Sequence, residues 1–500
     1  MRCRALTSAM LLLVVPAFAL DGDPRMHDPS TVMLHDGKYY SYGTGAGLPI
    51  SISDDGWTWR RAGTLMQALP GGRPGTDVIA RGGNNTWAPD LIRIGEKYFL
   101  YYSAPGTQPK AAIGLLVGKT LDPNSADYKW EDGGPVVWSD GVEDSNAIDP
   151  GAFLDPNNGS LWLTYGSYFG YIRLVQLDPK TGKRLYPDRK PVNIAINSEA
   201  SIMIFREGWY YLLVTHGSCC AGANSSYNIR MGRARKVTGP FLDNMGIDML
   251  QGGGKLFLGS GGRYIGPGHF GLLDLGSGVQ KFSCHYEADL DRGGASVLDI
   301  RPLLWRDGWP VAGDNFTAGT YHIESVRTGT ALELAVEGVP VGGRRGGGGR
   351  GRGGGRGEGP IGEPIPDQDV TQVADKWPGG HLDVRMSPYM LQAQQKWTIA
   401  PVANAGGYPG SPYFKITIAG TERSLAATAD RELAVLPAFS GGPEQLWRID
   451  QLTDGTYRVM PKATPNVKER LALSAIGSSM PTLATFNPDS DRQRWLFKRP

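Results

Sequence analysis

The stretch Arg25–Thr44, RMHDPSTVMLHDGKYYSYGT, decides the fold. A His-Asp-Pro motif precedes a short apolar run, a turn at Gly37 and a second, aromatic run. Gly37 lies nine residues after Asp28. Two such runs around a Gly turn read as a β-hairpin. The carboxylate at its entrance needs a reason, because an unpaired charge in a hairpin core is costly.

Four further segments share the pattern: APDLIRIGEKYFLYYSA (88–104), AIDPGAFLDPNNGSLWLTYGS (147–167), SEASIMIFREGWYYLLVTHGS (198–218) and, more faintly, GPGHFGLLDLGSGVQKFSCHYE (266–287). Turn glycines Gly159, Gly208 and Gly278 follow Asp149, Glu199 and His269 by nine or ten residues. The second unit is tighter, with Gly95 five residues after Asp90. Repeated strand–turn–strand units predict a five-bladed β-propeller, one sheet per blade. If each polar motif opens the innermost strand of its blade, the four ionisable side chains converge near one end of the central axis. The blander reading is that Asp and Pro mark turns at strand starts. Recurrence in phase with the blades argues against it.

Two carboxylates facing each other across a pocket are the minimum for glycoside hydrolysis, one ionised to activate water and one protonated to supply the leaving oxygen. A third carboxylate can hold the acid's proton by repulsion. Asp28, Asp149 and Glu199 provide that set.

The motifs HDPS, WAPD, NAIDPG, SEAS, HGSCCAGANSSYNIRMGRA and GPGH, in this order, resemble glycoside hydrolase family 43, above all its endo-1,5-α-L-arabinanase branch. The likeness covers about residues 25–290. It implies a five-bladed propeller and an inverting enzyme with Asp28 as general base, Glu199 as general acid and Asp149 raising the pKa of Glu199. It also implies an Asp28–Glu199 carboxyl separation of about 6.5–9.5 Å. His269 of GPGH matches the family histidine that holds a hydrated cation, usually calcium. A hard ion with mostly water ligands leaves almost no sequence signature of its own.

Further candidates for sugar contact are Trp87, through ring stacking, and Asn146 and Ser167, through hydrogen bonds. His216 is a fourth sugar-contact candidate. It stands where the arabinanase branch usually has an aromatic, as the Tyr168–Phe169 pair stands where a Trp is common. Both lie where the resemblance places subsites, so linkage preference is the less secure part of the resemblance. His285 is a candidate supporting group, or a packed core residue.

The first 19 residues carry Arg2 and Arg4, an apolar run and an Ala-x-Ala end, a secretory signal too short to span a bilayer. No later run is long and apolar enough to cross, so an exported, soluble protein is expected. The formal charge of +2 argues for no particular partner. Cys3 leaves with the leader. Cys219, Cys220 and Cys284 remain, an odd number, so one thiol is free or paired elsewhere. The adjacent pair is a vicinal disulfide or two thiols.

After Pro310 the character changes. Three Gln-x-Trp motifs end at Trp397, Trp447 and Trp495, 50 and 48 residues apart. They resemble the ricin-type β-trefoil lectin, also called carbohydrate-binding module family 13, in which these residues build the pseudo-threefold core. The first unit carries VGGRRGGGGRGRGGGRGEGP (341–360), with five arginines among glycines. Such a segment cannot bury a core and reads as a disordered loop. Its charge would favour the acidic pectin to which arabinan is attached. An RNA-binding reading is poor for an exported enzyme.

The sequence thus predicts an all-β chain: signal peptide 1–19, propeller 20–312, and trefoil 313–500 with insert 341–360. The expected substrate is arabinan or a related plant cell-wall polysaccharide, with a second sugar ligand on the trefoil, calcium near His269, no nucleic acid and a monomer. An exo-acting α-L-arabinofuranosidase or β-xylosidase is the alternative, and a non-catalytic sugar-binding protein a further one.

Overall fold

The computed structural model describes residues 20–142, 145–336 and 373–500. The leader and the Gly/Arg insert lie outside the described residues. Five sheets follow one another along the first part of the chain. Blade one holds Met33–His35, Lys38–Tyr42, Pro49–Ser53 and Thr58–Thr64; blade two Trp87–Ile94, Lys97–Pro105, Ala111–Gly118 and Trp130–Ser139. Blade three holds Gly151–Leu154, Leu161–Tyr165, Tyr171–Leu177 and Val192–Ile196. Blade four holds Glu199–Arg206, Trp209–His216, Asn228–Ala234 and Lys255–Leu258, and blade five Tyr264–Asp274, Gln280–Asp289, Ala295–Arg306 and Trp309–Ala312.

The composition of each second strand shows why the sheets stack into a ring. In Lys97–Pro105, Tyr98, Leu100 and Tyr102 pack toward blade one, while Phe99 and Tyr101 pack toward blade three. Alternation sends successive side chains to opposite faces, and both faces are covered, so the strand is apolar throughout. Five apolar clusters fill the five interfaces. The last joins blade five to blade one through Leu273, Leu298 and Ile300 against Met26, Val32, Trp57 and Trp59. The N-terminal segment fastens that joint. Asp21–Gly22 runs parallel to Thr58–Thr64 on blade one. On blade five, Met26 N–H donates to Ser296 O at 3.1 Å and Leu298 N–H to Pro24 O at 2.8 Å.

The remaining residues build a β-trefoil of three four-stranded units, closing on Trp397–Pro401, Trp447–Gln451 and Trp495–Lys498. The three tryptophans are fully buried. Their indole N–H groups donate to Leu332, Leu425 and Leu473 carbonyls at 2.9, 3.1 and 2.9 Å. Gln395, Gln445 and Gln493 each accept a loop amide, from Met390, Ser440 and Asn487. One hydrogen-bond scheme thus recurs three times, which fixes the pseudo-threefold core. The two units touch: Trp305 N–H donates to Thr453 O at 2.8 Å, Thr453 N–H to Gly278 O at 2.9 Å, and Gly407 N–H to Asp55 Oδ2 at 2.8 Å. Among the described residues, no helix is long and apolar enough to cross a membrane.

Candidate active site

Each blade has one non-glycine residue with positive φ within or shortly before its innermost strand: Asp28 (46°), Ala88 (39°), Asp149 (55°), Ala200 (49°) and His269 (54°). L-residues rarely adopt this conformation, and it costs free energy wherever it occurs. Its repetition in all five blades marks one structural position. In three blades a register irregularity accompanies it, between Trp87 and Asp90, Glu199 and Ile202, and Gly268 and Gly271. The ring therefore carries two aspartates, a histidine and two alanines.

This corrects the phase expected from turn spacing. Glu199 is not the equivalent of Asp28 and Asp149; Ala200 is, and Glu199 stands one residue ahead of the ring. Likewise Ala88, not Asp90, holds the place in blade two. Asp90 ties innermost strands together instead, accepting Thr31 N–H at 3.2 Å and Ala152 N–H at 2.9 Å.

Asp28, Asp149 and Glu199 are 8, 7 and 8 % exposed, buried yet still open on one side. Their environments differ. Thr44 Oγ1 donates to Asp28 Oδ2 at 2.5 Å, His27 Nδ1 lies 2.9 Å from the same oxygen, and His269 Nδ1 lies 3.0 Å from Oδ1. Burial opposes the charge on Asp28, but the His269 and His27 rings outweigh it and hold the carboxyl well below the usual range. His27 in turn is squeezed between two carboxylates, with Nε2 2.8 Å from Glu287 Oε1. Burial disfavours its cation, yet Asp28 and Glu287 together raise its pKa to about 10.

Asp149 and Glu199 go the other way. Burial raises both; repulsion from Glu199 adds to the rise at Asp149, which is pushed the further. Ser167 Oγ donates to Glu199 Oε2 at 3.1 Å, and the Tyr227 hydroxyl donates to Oε1. These two donors favour the ionised glutamate and moderate its rise. Burial and the neighbouring carboxylates push the Tyr227 phenol far up, so it stays a donor. The Asp149–Glu199 pair thus retains a proton beside an ionised Asp28.

The other expected residues distribute as follows. Ser167 reaches Glu199 directly. Trp87 is 36 % exposed and lines a cleft of about 350 Å³ with Gly45, Met66, Arg73, Asn85 and Thr86. Asn146 is buried, and its amide donates to Gln108 Oε1 at 2.5 Å, so its bonded partner is that side chain and not Asp28, Asp149 or Glu199. His216 is half-buried, with Nδ1 3.5 Å from Asn228 Nδ2, and burial lowers its pKa. Tyr168 and Phe169 are exposed in the blade-three turn after Leu161–Tyr165, and the Tyr168 hydroxyl donates to Thr215 O at 3.4 Å. A larger cavity, about 570 Å³ between Tyr264, Asp299 and Asn315, includes none of these groups.

His27, Asp28 and His285 form a group that could hold a metal ion, with ligand atoms within 4.8 Å of one another. Two of its donors are already engaged. His285 Nδ1 accepts the Asp28 amide at 3.1 Å, which places its proton on Nε2, facing Glu287. His27 spans two carboxylates. His269 fits an ion better: Nε2 is buried without a hydrogen-bond partner, while Nδ1 faces Asp28. A His269 that held an ion would be the neutral tautomer with its proton on Nδ1, donated to Asp28, and the charge of the ion would then take the place of the imidazolium's beside that carboxylate.

Thr44, His27, Tyr227 and Glu287 received no role from the sequence. His27 adjoins Asp28, and Tyr227 and Glu287 fall within the quoted segments. Only the folded sheet reveals that they converge.

Comparison with known proteins adds an independent line. Residues 23–310 match the family profile described as Glycosyl hydrolases family 43, and residues 393–479 the profile described as Ricin-type beta-trefoil lectin domain-like. The Bacillus subtilis extracellular endo-alpha-(1->5)-L-arabinanase 1 is 32% identical over 293 residues, 57% of this chain and 87% of that protein. The Cellvibrio japonicus extracellular exo-alpha-(1->5)-L-arabinofuranosidase ArbA is 34% identical over 323 residues, 61% of this chain and 90% of that protein. Among solved structures, the Cellvibrio cellulosa alpha-L-arabinanase complexed with arabinohexaose superposes with a TM-score of 0.53 at 30% identity, covering 58% of this chain and 95% of its own.

Proposed function

The chain belongs to glycosyl hydrolases family 43, and on that footing we propose that it is an exported glycosidase that hydrolyses internal α-1,5-L-arabinofuranosidic bonds of arabinan with inversion. The observation that carries this reading is the division of protonation around one axis. Asp28 is held ionised by two histidines, while the buried Asp149–Glu199 pair keeps a proton.

In the reaction, Asp28 orients a water molecule and accepts its proton as the oxygen attacks the anomeric carbon. A carboxylate held this low is a weak base at rest. Proton transfer becomes favourable as the attacking water bonds to an oxocarbenium-like carbon. On the opposite face, Glu199 gives its proton to the departing oxygen as the glycosidic C–O bond breaks. Asp149 keeps the pair's proton available by disfavouring a second negative charge. A single displacement calls for carboxyl groups about 6.5–9.5 Å apart, with room for the water.

A hydrated calcium ion belongs to the same reading. His269 Nε2 would hold it, with water completing the shell, and the ion would add fixed positive charge beside the carboxylates. The propeller, 20–312, is the catalytic unit, and the trefoil, 313–500, a sugar-binding unit on the same monomer. Export rests on the leader and on the extracellular relatives.

An exo-acting mode is the second reading, favoured by the exo-acting relative at 34% identity. Product analysis on debranched arabinan separates the two. Oligosaccharides released early establish endo action; arabinose alone, or preference for an aryl arabinofuranoside, establishes exo action. No hydrolysis of either substrate overturns both.

A further inference from the structure

One loop of blade four touches Glu199 directly and is linked to Asp28 through Glu287. Residues 217–227 connect Trp209–His216 to Asn228–Ala234. The loop is pinched at its neck, where Ser226 N–H donates to Ser218 O at 3.0 Å and Ser218 N–H to Ser226 Oγ at 2.9 Å. At its end stands Tyr227, bonded to Glu199. At its tip, Cys219 and Cys220 are joined by a disulfide, with Cα atoms 3.8 Å apart. Cys220 is exposed and Cys219 half-buried.

From that tip a chain of contacts runs to Asp28. The Cys220 amide donates to Glu287 Oε2 at 2.8 Å. The other oxygen of Glu287 meets His27 Nε2 at 2.8 Å and His285 Nε2 at 3.2 Å. His27 Nδ1 contacts the Asp28 carboxylate, and His285 Nδ1 accepts the Asp28 amide. Glu287 thus grips Asp28 twice, through its side chain and through its backbone. Glu287 is 4 % exposed, so its charge needs all of these partners. Packing leaves little slack: a Cβ on Gly266 would lie 3.0 Å from Glu287 Cβ and 2.9 Å from Ser225 Oγ. Closing two adjacent cysteines into one small covalent ring removes backbone freedom from the peptide that presents the Cys220 amide.

We propose that Glu287 is a positioning residue for the water-activating Asp28, and that the Cys219–Cys220 disulfide is what holds Glu287 in place. The inference rests on the reading of Asp28 as base. When the disulfide opens, the Cys220 amide is free to leave Glu287, and the two histidines lose their shared anchor. The alternative, that Glu287 is only a buried charge satisfied for stability, predicts effects on melting alone.

The test uses the full chain on debranched arabinan, with the melting temperature recorded for every variant. Glu287→Gln and the double variant Cys219→Ser/Cys220→Ser each lower kcat about tenfold with KM nearly unchanged, as displacement of a reacting group does. The triple variant is no slower than the slower parent, because both act along one chain of contacts. Glu287→Asp, which keeps the charge, recovers part of the rate. Tris(2-carboxyethyl)phosphine provides a covalent control. The phosphine supplies two electrons and becomes its oxide, water supplies the oxygen and two protons, and the S–S bond becomes two thiols. It brings the wild type to the rate of the double variant and leaves that variant unchanged. Wild-type kcat in both Glu287→Gln and the double cysteine variant overturns the proposal. So do multiplying effects in the triple variant, or a rate loss that follows the unfolded fraction. Asp28→Ala separates the two levels. If it is active, the reading of Asp28 as base fails; if it is inactive while the other variants keep full rate, only the role of Glu287 fails.

Discussion

Tyr227 donates its hydroxyl to the same carboxylate, Glu199, that Ser167 holds from the other oxygen. Both donors stabilise the ionised glutamate, although the proposed chemistry needs it protonated. The site therefore balances burial against two hydrogen bonds, and the balance sets the alkaline limit of activity.

Removing one donor moves that limit. In Tyr227→Phe a bond to the charged form is lost, so the Glu199 pKa rises further above 4.5. The alkaline limb of the kcat profile is expected to move to higher pH, with the acid limb in place. A pH–rate series on debranched arabinan checks this; a limb that moves down or stays contradicts it.

Asp28→Ala and Glu199→Ala are each expected to reduce hydrolysis of arabinan by about 10²–10⁴-fold or more. They should part company on an activated substrate. A nitrophenolate leaving group needs little protonation, so Glu199→Ala keeps far more of its rate on a nitrophenyl arabinofuranoside than Asp28→Ala does. Equal losses on both substrates contradict the assignment of acid and base.

The His27–Glu287 pair makes stability depend on pH in a defined window. His27 rises from 6.5 to about 10, so its contribution is full below 6.5 and is lost as pH climbs through about 10. Glu287 falls from 4.5 to about 2, so its contribution is full above 4.5 and is lost as pH drops through about 2. Both act fully only between 4.5 and 6.5. The melting-temperature gap between wild type and Glu287→Gln should be widest there and narrow on either side, which calorimetry across pH measures.

His269→Ala is expected to be slower than the wild type and indifferent to chelator. The wild type should lose activity on exhaustive chelation and regain it with calcium. Elemental analysis of the dialysed proteins gives the direct check, with calcium retained by the wild type and not by the variant.

The propeller was legible because second strands such as KYFLYYSA and WYYLLVTH are apolar on both faces, and strand pairs of this kind recur at turn-marked intervals. Asp28 and Asp149 were legible because Pro follows each at a strand entrance. The phase error at Glu199 has a physical origin. An irregularity that places one extra residue in a strand shifts every later side chain by a step, and nothing in SEAS announces it. Tyr227 and Glu287 escaped notice for another reason. Glu287 lies on the strand beside the innermost one of blade five and Tyr227 at the end of the loop 217–227, so their contacts arise from pairing between distant segments rather than from any local spacing. The trefoil was plain from Gln-x-Trp because each copy repeats the same core bonds.

The clasp between chain start and fifth blade has a bearing on biogenesis. His27 and Glu287 are 260 residues apart in sequence, yet their contact holds one of the two rings, His27 and His269, that face the Asp28 carboxylate. Contacts of such long range form late, after the loop entropy between them has been overcome. An emerging or partly folded propeller can hold four finished blades and still lack the contacts that surround Asp28. On the reading of Asp28 as base, hydrolysis begins only when the circle is complete, and turnover then certifies that the last blade has met the first.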